Sequence, residues 1–570
     1  MAPHTPQPTT SRNTSRQDAR TTTNALGRDA LIGVLLLVFA LTMFAVRWPY
    51  GFSDGYMNLV GGEASVPADR ILQHGAVPYR DFWTLYIPGH FYLLAILFKI
   101  FGTHLLVEIV SASVACALAA AGCYWFVRSI TGNYVLGLWA GGLLSAAILQ
   151  SRYYYLHFES YPPAILCIFG AWICYAYYHM SGKTAYLIGT GLLTGVVFDV
   201  KHDVGVYTTA SLAVGLLVGR YVTRESRPLE VRPIVRELLS LCVPFLAVAA
   251  PMVIYVAAVA GPDAWDDAVV FPATIWRYVK PEDYPSLLPD VRSGLSMEAL
   301  DGWIEYVKFT LPFLLQLGGV AVIVTAIRRK DAILSAVSTA LWIAFWFHYA
   351  GAHLQINTHI VTMTAYAATM GALLYHLFQP SGGYKTGTRL LTGLVVLSWF
   401  AALNARPVYY MMKAEPRTVT LTLPRVSGMR VTPEEAATLN SLASFVWTHV
   451  EPNQYLYIGN HRHESMVEND KLAYFMLNRP IPVRYHDLHP GVADVSKGQR
   501  EMIGDLESKQ PPYIILKHVL DDATLDRVVA GFRVHVPEIG AQDLDRYIAS
   551  HYEKTVSFGP YDVWKRISSP

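Results

Sequence analysis

The chain has 570 residues and a formal net charge of +2; 53% of it is hydrophobic, 12% aromatic and only 15% charged. A soluble domain carries about 25% charged residues, so this shortage of polar surface excludes a soluble enzyme, a disordered chain and a fibrous protein. The near-neutral balance offers no broad basic face for nucleic acid, and the composition is that of a polytopic membrane protein.

Residues 1–28, rich in Thr, Ser, Arg and Gln, have no apolar period and read as a disordered cytoplasmic leader. The run Ala30–Val46 is long enough to span and lacks a small-residue cleavage site after it, so a retained helix is expected. Further apolar runs begin near His104, Tyr134, Tyr161, Tyr186, Val204, Leu238, Phe309, Ala332, His359 and Leu390. With the first, these give about eleven spans of roughly 17–25 residues each. The segment Pro88–Phe101 (PGHFYLLAILFKIF) is shorter and carries Lys99, which suits an interfacial or re-entrant helix. If it does not span, the basic loop Arg220–Arg236 falls on the cytoplasmic side, as the positive-inside rule requires. The odd count then places the C-terminus outside.

The expected fold class is therefore mainly α, a polytopic membrane helix bundle over residues 29–404. Residues 405–570 are expected to form an extracytosolic α/β domain. There YLYIG (455–459) and PYIIL (512–516) read as buried strands, and Thr432–His449 and Lys497–Glu507 have helical spacing. The five cysteines all lie in apolar runs and are expected to be free, buried side chains.

Polar chemistry gathers in the outer loops. The first, residues 48–102, holds Asp54, Glu63, Asp69 and Asp81. Ala64–His74 reads as an amphipathic helix on the membrane surface, with Glu63 at its N-terminal end. The helix dipole favours an ionised carboxylate there, able to act as a general base or simply to cap the helix. The second loop, SRYYYLHFESY (151–161), sets Arg152, His157 and Glu159 among four tyrosines. An aromatic belt with a snorkelling arginine explains the tyrosines, but less readily Glu159.

The turn FDVKHDVGVY (198–207) packs Asp199, Lys201, His202 and Asp203 together at a membrane surface. Such charges are costly unless paired or used. Lys201 could bind a phosphate as a point charge, or the turn could neutralise itself. A fourth loop holds Trp276, Arg277, Tyr278 and Lys280, suited to a phosphorylated lipid, a sugar face or plain solvation. In HLQINTH (353–359), His353 and His359 could ligate a metal or make ordinary hydrogen bonds. His461 and His463 lack a third ligand at recognisable spacing. No Walker loop, GxGxxG, HExxH or GxSxG motif occurs, so any group transfer must draw on an already activated donor.

The order of these features carries a resemblance. A first span leads to a long outer loop with an acidic residue before an amphipathic helix. It continues with G-x-x-P-Y-R-D-F (Gly75–Phe82), a short apolar helix ending at Phe101–Gly102, S-R-Y (151–153) and G-L-L-x-G…K (191–201). Over roughly residues 30–380 the chain resembles the GT-C membrane glycosyltransferases. The likeness is to the bacterial branch similar to protein O-mannosyltransferases and lipid A aminoarabinose transferases.

The resemblance implies transfer of a sugar from a polyprenyl-phosphate-linked donor at the outer face of the cytoplasmic membrane, with inversion. The acceptor would be an envelope glycan, a lipid or a protein. The family's acceptor-activating acid maps onto Glu63, where the family has Asp, with Asp54 as the fallback; the second acidic position maps near Glu159. The donor-phosphate cation maps onto Lys201, with Arg152 and Arg80 as further cations. Asp81, His157, His202 and Arg277 complete the expected substrate contacts. No cofactor is required, although a divalent metal could assist the phosphate. A transporter or flippase of a lipid-linked or small polar substrate is the rival reading; it predicts ionisable groups near the bilayer midplane. A non-catalytic subunit is a third.

Overall fold

The computed structural model describes residues 30–38, 41, 62–85, 87–150, 157–224, 230–271, 274, 310–352, 356–378, 385–413, 419–464, 469–489, 491–518 and 540–567. Every apolar run expected after residue 100 is helical. Two short helices come first, α1 (Ser65–His74) and α2 (Gly89–Phe101), followed by α3 (Leu105–Thr131), α4 (Tyr134–Gln150), α5 (Tyr161–Ser181) and α6 (Thr184–Val200). Then come α7 (His202–Thr223), α8 (Val231–Ala260), α9 (Leu311–Arg328), α10 (Ala332–Ala352), α11 (Ile356–Leu377) and α12 (Lys385–Lys413). Among the described residues, α3, α5, α8, α9, α10 and α11 are long and apolar enough to cross a membrane; α2, α4, α6 and part of α12 are shorter apolar helices. The chain is a multi-pass membrane protein. All five cysteines are free.

Small residues let the long helices approach closely. On α6, a Cβ at Gly191 would lie 2.2 Å from the Leu241 carbonyl oxygen of α8, and one at Gly195 would lie 2.7 Å from Val248 Cβ. On α7, Gly215 and Gly219 meet α10 at Ala336 in the same way. Both pairs have the small-xxx-small spacing that drives helix association where lipid tails remove the hydrophobic incentive.

In the C-terminal part, α13 (Pro433–His449), α14 (Lys471–Leu477), α15 (Ser496–Lys509) and α16 (Asp543–His551) accompany a four-stranded sheet. Its strands are β3 (Leu456–Asn460), β4 (Tyr513–Lys517), β5 (Tyr552–Phe558) and β6 (Tyr561–Arg566), in the order β3-β4-β6-β5. β3 and β4 are parallel and the other pairs antiparallel. The short strands β1 (Val419–Thr420) and β2 (Arg430–Val431) pair separately. Helix α13 starts at a capping box in which Thr432 and Glu435 satisfy each other's backbone amides.

The hydrophobic core of the sheet does not stop at the tail. Phe82, Trp83, Phe91, Leu94 and Phe98 of the first loop share one buried cluster with Tyr474, Phe475, Val483 and Tyr485. Phe98 stacks on Phe475 with ring centroids 5.9 Å apart, and Trp83 lies 4.6 Å from His489. Helix α1 buries Ser65, Val66, Pro67 and Ala68 and packs against α2 and α14. Its amphipathic pattern, read from the sequence as a membrane-surface signal, is therefore met at its N-terminal half by protein.

Candidate active site

Helices α6 and α7 are separated by a single extended residue, Lys201 (φ −155°, ψ 92°). That break turns the chain so that Lys201, His202 and Asp203 all sit at one end of the bundle. The Lys201 side chain is only 1% exposed; Nζ lies 3.5 Å from Asp203 Oδ1 and 4.6 Å from the centre of the Tyr161 ring. An ammonium over an aromatic face, with a carboxylate close by, offsets part of the cost of removing the charge from water. His202 packs edge-on to Phe198. The start of α2 abuts the same turn: a Cβ at Gly89 would fall 2.3 Å from the Asp199 carbonyl oxygen, so only glycine fits there. His348 and His359, from the ends of α10 and α11, face each other with their Nδ1 atoms 3.1 Å apart.

A second buried group joins three separate stretches of chain. Glu108, in the first turn of α3, is fully buried; its Oε1 accepts from His157 Nδ1 at 3.1 Å and its Oε2 accepts from the Ser65 hydroxyl. His157 of the second loop is thus tied to the residue two positions after Glu63. Glu159 is buried two residues further on, and Tyr161, which covers Lys201, follows after two more. His157, Glu159 and Tyr161 therefore share one short stretch of chain, which reaches the Lys201–His202 turn through Tyr161.

The remaining expected residues fall elsewhere. Glu63 is 39% exposed, and its Oε2 lies 3.3 Å from Nζ of Lys471, a buried residue of the tail. Gly62 beside it has φ +97°, and a Cβ there would lie 2.9 Å from the Lys471 backbone, so glycine is what allows this approach. Arg80 and Asp81 pair mainly with each other, at 3.0 and 2.8 Å. Burial pushes the Asp81 carboxyl up, but the Arg80 guanidinium and the Val77 amide outweigh it and hold Asp81 below the usual carboxylate range. With its backbone carbonyl accepting from Arg70, this turn is built as a braced corner. Asp54, Arg152 and Arg277 lie outside the described residues, as does His353.

Glu108 was not anticipated as a functional group. A carboxylate in an otherwise apolar run (LLVEIVS) was its signal, since such a residue is kept only when it is paired. Ser65 and Lys471 carried no signal at all. Among the described residues no three His, Cys, Asp or Glu side chains gather as a metal site would require.

The chain matches no protein-family model and no curated protein by sequence. Among solved structures it is similar to the archaeal oligosaccharyltransferase AglB from Archaeoglobus fulgidus in complex with an inhibitory peptide and a dolichol-phosphate. That match has 12% identity and a TM-score of 0.51, and covers 94% of this chain and 74% of that one. An Archaeoglobus fulgidus oligosaccharyltransferase in complex with Zn and sulfate gives 12% identity and a TM-score of 0.51, over 93% and 73%. ArnT from Cupriavidus metallidurans in the apo state gives 12% identity and a TM-score of 0.50, over 94% and 98%. The fold is that of the GT-C membrane glycosyltransferases, as the motif order implied.

Proposed function

We propose that the chain is an inverting glycosyltransferase that moves a sugar from a polyprenyl-phosphate-linked donor to a glycan, lipid or protein acceptor. In this reading about eleven spans carry the site, and residues 405–570 form an α/β domain outside the cytoplasmic membrane. The observation that carries it is the stretch 157–161, tied at His157 to Glu108 and through it to Ser65, and laid at Tyr161 over Lys201 at one end of the bundle.

The chemistry needs little more. Attack by an acceptor oxygen on C1 of the donor sugar breaks the bond to the phosphate oxygen, and attack from the opposite face inverts C1. The departing polyprenyl phosphate keeps the bonding electron pair, and Lys201 balances its charge. A carboxylate takes the acceptor proton: Glu63 first, with Asp54 and Glu159 as alternatives. Arg80, Arg152, His157, His202 and Arg277 would then orient the two substrates.

The test is transfer of labelled sugar from a synthetic polyprenyl-phosphate donor by purified protein carrying Glu63→Gln, Asp54→Asn or Glu159→Gln. Collapse of turnover in one variant identifies the base. Full activity in all three overturns the assignment. The rival transport reading would require substrate flux in liposomes that contain no acceptor.

A further inference from the structure

Away from Lys201, the tail holds a cavity of about 280 Å³ bounded by α13, α14 and the β5–β6 turn. It opens beside the carboxyl ends of the parallel strands β3 and β4, where ligands of α/β sheets characteristically bind. Its walls are aliphatic, from Leu421, Met429, Leu439, Leu472 and Met476. At one end lies a buried polar group: Asp470 Oδ2 accepts from Lys517 Nζ at 2.5 Å and from the Tyr561 hydroxyl at 2.7 Å, while Oδ1 takes the Ala473 amide at 3.0 Å. Lys517 is 5% exposed, and among the described residues Asp470 is the one hydrogen-bond acceptor of its ammonium. An ammonium has three N–H donors; Asp470 takes one and the Tyr561 ring, its centre 5.0 Å from Nζ, partly covers the group, which leaves donor capacity for a ligand in the cavity that Lys517 lines.

These features select a ligand. Asp470 neutralises Lys517, and Glu434 and Glu435 stand at the lining, which disfavours an anion. A cation finds no open buried carboxylate: Asp470 is taken by Lys517 and Tyr561, Glu435 by the Thr432 amide and hydroxyl, and Glu434 is exposed. A purely apolar ligand would strand the remaining ammonium donors, at a cost that buried polar groups seldom bear. What remains is a neutral molecule with hydroxyls on one side and C–H surface on the other. We propose that this cavity binds one neutral sugar unit, its hydroxyl oxygens accepting from Lys517 and its ring C–H face lying against Leu472 and Met476. Binding follows from the walls alone. That the sugar belongs to the acceptor glycan rests on the transferase reading. Lys471, which reaches Glu63, is the next residue after Asp470, so one short helix carries both a wall of the cavity and the partner of the proposed base.

The test uses full-length protein in lipid nanodiscs and saturation-transfer NMR with methyl α-mannopyranoside, methyl β-galactopyranoside and methyl β-arabinofuranoside. At least one glycoside should bind saturably. Two substitutions should each weaken that binding by about tenfold or more, about 1.4 kcal/mol. One is Tyr561→Phe; the other is Thr438→Trp, which fills the cavity from α13 without touching the buried ion pair. Glu63→Gln should bind as the parent does. Absence of saturable binding by all three glycosides, or binding that neither cavity variant changes while both variants remain folded by thermal unfolding, overturns the proposal. Neither result touches the transferase reading. Binding intact alongside a fully active Glu63→Gln variant would remove Glu63 as the base and leave the cavity assignment standing.

Discussion

Glu108 and His157 meet at 3.1 Å between Oε1 and Nδ1, both wholly out of solvent, and so lock the second loop onto the start of the first long helix. Removing Glu108 leaves the buried His157 ring and the Ser65 hydroxyl without their acceptor. Glu108→Ala should therefore lower stability by about 2–6 kcal/mol, at about 1–3 kcal/mol for each stranded group. Glu108→Gln keeps hydrogen-bonding capacity and should cost only about 1 kcal/mol. Thermal unfolding of the purified protein in detergent distinguishes the two. Equal midpoints for both variants would show that the contact stabilises nothing.

Glu63 is held by Lys471 yet keeps 39% of its side chain exposed, as the proposed role of a base requires. A partly exposed ion pair contributes about 0–1 kcal/mol, so Glu63→Gln should barely move the unfolding midpoint. Turnover should fall by about 10²–10⁴-fold if Glu63 is the general base. A variant that unfolds earlier but turns over at the parental rate would make Glu63 a tail anchor and nothing more.

Lys201→Met should weaken donor binding by about 1.5–3 kcal/mol, the worth of a hydrogen bond to a charged group. Lys201→Arg should not restore it, because a planar guanidinium does not fit a nearly closed site shaped around an ammonium over Tyr161. Titration with the donor's phosphate head group reads both. Donor affinity equal to that of the parent in Lys201→Met would reassign the cation. Gly89→Ala should damage the same property indirectly, since its new methyl would press on the Asp199 carbonyl.

Asp494, in the tail before α15, is pushed up to about 6 by burial, against a hydrogen bond from the Gly491 amide. In the unfolded chain it titrates near about 3.9. Between those values the folded chain holds more protons than the unfolded one. The stability from this group is thus full below about pH 4 and is lost as pH rises through about 6. At about 1.4 kcal/mol per pH unit the loss is roughly 2–3 kcal/mol. Asp494→Asn should flatten that decline and stabilise the protein at pH 7, as read by denaturant midpoints across pH 4–8. An unchanged pH slope would count against the raised carboxyl.

The sequence announced its helices because lipid-length apolar runs and loop charge are local signals. The run at His104 is helical from Leu105, and the doubtful segment Pro88–Phe101 is a helix of 13 residues. In the tail, YLYIG and PYIIL mark strands that prove to be Leu456–Asn460 and Tyr513–Lys517. Strands β5 and β6 escaped notice, although alternating residues on either side of Gly559-Pro560 encode a hairpin. Within the site, Lys201 stood out because a cation between apolar runs is conspicuous. Its cover by Tyr161, the tie from Ser65 to Glu108 and the reach of Lys471 to Glu63 are contacts between distant segments. No periodicity within either segment specifies the other.

The core that Phe82, Phe91 and Phe98 share with Tyr474 and Phe475 links the two ends of the polypeptide in time as well as in space. Glu63 and Lys471 are 408 positions apart, so the early segment emerges long before its counterpart exists. Until translation is nearly over, that segment must wait with its aromatic side chains uncovered, a slow, non-local closure of the kind that invites misassembly. A message truncated before Tyr474 would leave a membrane-embedded stump in which Phe82, Phe91 and Phe98 never find their cover.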